Sequence, residues 1–126
     1  MSDLFDDADM IYSYSRKQAI EDGTLIDVSD TAKDLGIKYP VALTHTVWAG
    51  FVVPPDTAKG QDEKGRLWDI LSVFRTKAIV FEGDTLMFVV LFQQAPDSTV
   101  EQEFKAVVGP GDDPAPAITI MLPDED

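Results

Sequence analysis

The residue types that support acid–base, nucleophilic or metal chemistry are few in this chain, and their spacing does not assemble them. His45 is the only histidine, so a Ser-His-Asp arrangement has one candidate base. It sits between Thr44 and Thr46 in a stretch that reads as helix, and no G-x-S-x-G elbow occurs to present a nucleophile. A helical histidine that is satisfied or faces solvent is the ordinary reading. Asp3, Asp6, Asp7 and Asp9 lie close together, where carboxylates alone suggest a metal. They lack the ligand spacing and the sixth-position glycine of an EF-hand loop, so weak, diffuse divalent binding is the most they imply. Gly109-Pro110-Gly111-Asp112-Asp113 has the glycines of a phosphate loop without its Lys-Ser/Thr ending. Pro110 removes a backbone donor and two carboxylates repel phosphate, so the segment reads as a turn. Arg66 and Asp69 stand three apart on a predicted helix, the spacing of an ordinary ion pair. Met10, Met87 and Met121 read as core fillers. No nucleophile, base and stabiliser emerge as a set. No catalytic residue, cofactor or metal site is expected, and the chain is not expected to be an enzyme.

Composition narrows the class further. At 126 residues and 13.9 kDa the chain has room for one core, so residues 1–126 are expected to form a single domain. Hydrophobic residues at 44% and aromatics at 10% are enough to pack an interior. The absence of cysteine removes disulfides, thiolate zinc sites and cysteine nucleophiles together. No apolar run approaches the ~20 residues that span a bilayer, and the opening Met1-Ser2-Asp3-Leu4-Phe5-Asp6-Asp7 is acidic where a signal peptide is basic. A soluble, cytoplasmic, acidic domain is expected.

The elements that must position these residues read as helices early and strands late. Ser15 is a candidate N-cap for a helix ending at Gly23, and Thr24 to Val28 suits a short strand. Ser29 offers a second cap, followed by one or two helical turns and a stop at Gly36. Pro40 suits the first turn of a helix over Val41–Val52. Asp62 caps the next helix, where Leu67, Ile70, Leu71 and Phe74 follow the spacing of a buried stripe that Trp68 widens. Ala78 to Phe81 and Thr85 to Gln93 read as strands across a Glu82-Gly83-Asp84 hairpin turn, with a break at Ala95-Pro96-Asp97. Val100 to Val108 and Ala117 to Leu122 read as two more. The expected class is α+β, with two main helices packed on an antiparallel sheet built mostly from the C-terminal half.

Charge is the feature that points to function. Against 23 Asp and Glu stand 10 Lys and Arg, giving a net charge of −13 and a pI near 4.2. Direct binding of DNA, RNA or an anionic membrane through a basic footprint is therefore not expected. The excess is −6 over residues 1–34, zero over 35–96 and −7 over 97–126. A neutral middle is thus flanked by two acidic ends, whereas a purely solubilising charge would spread over every exposed face. Aspartate supplies 17 of the 23 acids. Many of these sit where caps and turns are expected, but short stems also hold their charge close to the backbone.

Several segments together resemble a known family. They are Met10 to Gly23 with Leu25-Ile26-Asp27-Val28-Ser29, Lys38 to Thr44 with Val47-Trp48, Gly65-Arg66-Leu67-Trp68-Asp69, and Gly109-Pro110-Gly111-Asp112 with Thr119 to Asp126. These resemble a family of small proteins of unknown function carried on bacterial plasmids, integrative elements and phages. The resemblance spans nearly the whole chain, thinning over 51–60 and 76–103, and carries no catalytic residues to transfer. It implies an accessory protein of a mobile element. By analogy, small acidic proteins of that kind include inhibitors of host defence such as anti-CRISPR and anti-restriction proteins.

Two functions follow as expectations. The first is a DNA mimic that inhibits a nucleic-acid-binding defence complex by blocking its basic DNA-binding surface. Duplex DNA carries one charge per ~1.7 Å, so thirteen charges correspond to roughly 22 Å of duplex. Asp6, Asp7, Asp9, Asp30, Asp112, Asp113, Asp124 and Glu125 are the expected partner-binding acids, and the protein is expected to act as a monomer in the host bacterial cytoplasm. The second is an acidic interaction module, antitoxin-like or an assembly partner, that binds a basic protein without mimicking DNA. Contiguous acids at phosphate spacing favour the first, and an apolar patch rimmed by acid favours the second.

Overall fold

A computed structural model describes residues 15–111 and 115–125. Ser15 opens helix α1 (Arg16–Glu21) with a capping box. Its hydroxyl accepts from the Gln18 amide at 3.0 Å, and the Gln18 side chain accepts from the Ser15 amide at 2.9 Å. Two otherwise orphaned donors are satisfied at once. Gly23, at φ 85°, turns the chain into strand β1 (Leu25–Asp27). Helix α2 (Ser29–Asp34) follows, but Ser29 does not cap it. Its hydroxyl donates to Asp27 Oδ1 at 2.6 Å and accepts from the Val41 amide at 3.1 Å, pinning the helix start to strand β2 (Val41–Thr44).

The expected helix over Val41–Val52 divides at Thr44. Val41, Ala42 and Leu43 form the central strand β2, buried on both faces, so no alternation marks it in the sequence. Pro40 accordingly begins no helix; its carbonyl accepts from the Ile118 amide at 2.8 Å. Thr44 then caps a short helix α3 (His45–Val47), which runs on as a π-helical turn, Trp48–Val52. Helix α4 (Glu63–Ala78) starts where expected, with Asp62 Oδ1 accepting from the Gly65 amide at 2.7 Å, and buries Leu67, Ile70, Leu71 and Phe74. Trp68 lies outside that stripe, 39% exposed.

Three strands complete the chain: β3 (Thr85–Ala95), β4 (Ser98–Pro110) and β5 (Pro116–Met121). Ala78 to Phe81 is not a strand. Helix α4 runs through Ala78, and Ile79, Val80 and Phe81 remain exposed, with no strand beside them among the described residues. Glu82-Gly83-Asp84 therefore links a helix to β3, and the hairpin turn lies instead at Pro96-Asp97.

The fold is α+β, with a five-stranded sheet in the order β1-β2-β5-β4-β3. All neighbours are antiparallel except β2 and β5, so the sheet is mixed rather than wholly antiparallel. One face packs against α4 and the π turn. There Phe51 meets Phe92 and Phe104 at centroid distances of 5.6 and 5.4 Å, and Phe74 meets Phe88 at 5.8 Å. Helix α1 lies over the β1–β2–β5 half of the opposite face, where Arg16 donates to Thr119 Oγ1 and the Ile118 carbonyl. The β3–β4 half of that face carries exposed Met87, Val89 and Leu91.

Candidate functional site

Of the eight acids expected to contact a partner, the structure describes Asp30, Asp124 and Glu125, and it does not bring these three together. Asp6, Asp7, Asp9, Asp112 and Asp113 lie outside the described residues. Asp30 is exposed in the first turn of α2, at the end of the sheet where β1 finishes and β2 begins. Gly111 and Ala115, joined by a backbone hydrogen bond of 3.0 Å, lie at this same end, because Pro110 is paired with Pro116 at the start of β5. Asp124, also exposed, follows β5 at the other end. The length of the central strands therefore separates Asp30 from Asp124.

Glu125 does something different from its neighbour. Its carboxylate Oε1 accepts from Thr44 Oγ1 at 2.9 Å and from the Leu122 amide at 2.8 Å. Its backbone carbonyl accepts from Lys105 Nζ. Two of these bonds tie this stretch to β2 and β4 and the third closes the local turn at Leu122, so Glu125 helps to hold the fold.

A cleft of about 710 Å³ lies beside Glu125, lined in part by Arg16, Thr24, Thr44, His45, Thr46 and Thr119. His45 is brought here by the Thr44 cap, and its backbone amide donates to the Thr24 carbonyl at 2.9 Å. Its side chain is exposed. Ser15 lines the same cleft, but its oxygen serves the α1 cap. Glu125 orients Thr44, and Arg16 is held by β5. The polar atoms of Ser15, Arg16, Thr44 and Glu125 here serve helix ends and strand ends. Among the described residues no three metal-ligating side chains gather to hold an ion, and no helix is long and apolar enough to cross a membrane.

The residue that the sequence most understated is Arg66. It is 1% exposed. Its Nε donates to the Phe51 carbonyl at 2.6 Å, Nη1 to the Gln93 carbonyl at 3.0 Å and Nη2 to Gln94 Oε1 at 3.1 Å, while its plane lies 4.7 Å from the Phe92 ring centre. The guanidinium therefore joins α4, the π turn and the end of β3, and its hydrogen bonds go there rather than to Asp69, the partner that spacing suggests. Burial lowers its pKa, opposed by the nearby Asp69 charge. Asp69 lies on the exposed flank of α4, yet the surrounding protein desolvates it enough to raise its carboxyl above 3.8, with Arg66 opposing. A sequence signal existed: Arg66, Ile70 and Phe74 are four apart, so helical period alone puts Arg66 on the buried stripe.

No curated protein and no solved structure matches the chain. A family match does, and it covers residues 1–126. The chain belongs to a family of unknown function, DUF6573.

Proposed function

We propose that this protein, carried on a bacterial mobile element or phage, inhibits a host nucleic-acid-binding defence complex of the anti-CRISPR or anti-restriction kind. It does so stoichiometrically, by placing fixed carboxylates against the basic surface that DNA occupies. The observation that carries the reading is the distribution of charge: −13 overall, with the excess confined to the two ends of the chain and none in the middle. Exposed Asp30 and Asp124 support it as contact residues. Glu125 stands apart from them, because Oε1 of its carboxylate also accepts from Thr44 and Leu122.

Such binding is electrostatic, so it weakens steeply as salt screens exposed charge. The test is capture of partners from a bacterial lysate at low and high salt, identification of what is retained, and competition of the purified partner with duplex DNA. Mutually exclusive binding is expected. A partner that holds this protein and DNA together would instead identify an acidic interaction module that does not mimic DNA.

A further inference from the structure

Among the described residues, strand β3 is a sheet edge without the usual protection. It ends the sheet order, runs for 11 residues and is irregular only at Gln93/Ala95. Away from β4, its backbone is engaged only at that irregular end among the described residues, where the Gln93 and Gln94 carbonyls accept from Arg66 and Thr57. From Thr85 to Phe92, alternate residues direct N–H and C=O outward into an unpaired row. Natural edges of this length are blunted by proline, lysine or a bulge. This stretch carries Met87, Val89 and Leu91 on its open face instead, with Leu91 59% exposed.

The surroundings of that apolar row are acidic. Register places Glu103 opposite Val89 and Glu101 opposite Leu91, both exposed. Asp84 precedes the strand and Asp97 lies in the turn that follows it, exposed as well. The one cation on the row, Lys105 opposite Met87, is drawn toward the chain end, where its Nζ donates to the Glu125 carbonyl. A second copy would bring the same carboxylates and another net charge of −13 against this rim, and like charges facing each other across strands destabilise the pair. A cationic strand meets the opposite situation. Its backbone completes the row; the lysines or arginines on one face of it lay their aliphatic stems along Val89 and Leu91 as they cross β3, and its alternate, apolar residues turn to the other face. Glu101 and Glu103 are two strand spacings away, about 10 Å, a gap that an extended cation and a glutamate span together.

We propose that the β3 edge binds an extended basic segment of a partner protein as a sixth strand, read by main-chain hydrogen bonds, the Met87–Val89–Leu91 row and the Glu101–Glu103 pair. This goes beyond the charge-based reading above. DNA mimicry needs no strand pairing, so either idea stands if the other fails.

The experiment titrates isotope-labelled full-length protein with an acetylated, amidated peptide of alternating valine and lysine, followed by amide shifts and hydrogen exchange. A valine–glutamate peptide of the same length serves as the control. The lysine peptide is expected to shift and protect amides within Thr85–Phe92, and the glutamate peptide to leave them unchanged. Val89→Lys, at an exposed site, is expected to weaken binding about tenfold by opposing the peptide's charge. Glu101→Lys with Glu103→Lys is expected to reverse the preference between the two peptides, an outcome that a misfolded variant does not produce. Shifts centred elsewhere, equal binding of both peptides, or self-pairing of β3 with no peptide response would each overturn the proposal.

Discussion

Arg66 shows how a single side chain can join elements that are distant in the chain. Its three hydrogen bonds end on the π turn and on β3, so truncation leaves the Phe51 and Gln93 carbonyls short of a donor. An unsatisfied buried group costs about 1–3 kcal/mol, and Arg66→Met is expected to lower unfolding stability by about 3 kcal/mol or more in denaturant titration. Arg66→Lys keeps the charge without the planar fork and should recover only part of that loss. Asp69 gives the opposite kind of prediction. Its carboxyl is raised above 3.8 by desolvation, so the unfolded chain gives up the proton before the folded one does. Stability at this site is therefore greatest at low pH, falls as pH rises through that window, and stays lower above it. Asp69→Asn should raise the melting temperature slightly at neutral pH, and the gain should vanish once the pH falls below the ordinary carboxyl range. A loss of stability at neutral pH would mean that Asp69 matters chiefly as a counter-charge to Arg66.

At the scale of elements, legibility followed how local each signal was. Helix α4 was readable because Asp62 caps it and Leu67, Ile70, Leu71 and Phe74 recur at its period. Strands β3 to β5 were readable from β-branched and aromatic content between turn residues. Strand β2 was not: Val41, Ala42 and Leu43 are buried on both faces, and a short apolar run of that kind looks the same as one side of a helix. What settles it is pairing with β1 and β5, contributed by residues far away in sequence. Ile79-Val80-Phe81 failed in the reverse sense. Its composition is strand-like, but among the described residues no strand pairs with it, and Val80 is left 84% exposed. Thr44 is the joint between strand and helix, ending β2, capping α3 and donating to Glu125. Thr44→Ala should cost about 1–2 kcal/mol in thermal or chemical unfolding, and Thr44→Ser should restore most of it. Equal stability of the alanine and serine variants would remove the hydroxyl from that role.

For the whole molecule the question is where the charge ends up. Sequence could assign the excess to the two ends of the chain but could not place it in space, since that depends on strand order and on the parallel pairing of β2 with β5. Asp30 and Asp124 prove to be at opposite ends of the sheet, and Glu125 is absorbed into the fold. One flat acidic face is thus not formed by those three residues. The proposed contact with a basic partner is therefore made at more than one place. Replacing Asp30 and Asp124 by asparagine together should weaken partner binding and flatten its salt dependence, while unfolding stability stays nearly constant, because both residues are exposed. Replacing Glu125 by glutamine should chiefly lower stability. The measurement that bears most directly on the central claim is competition on the captured defence complex: labelled duplex DNA is bound, this protein is titrated in, and the series is repeated at rising salt. Stoichiometric release of DNA is expected, with inhibition fading steeply as salt increases. A ternary complex of target, DNA and this protein, stable across that salt range, would contradict it.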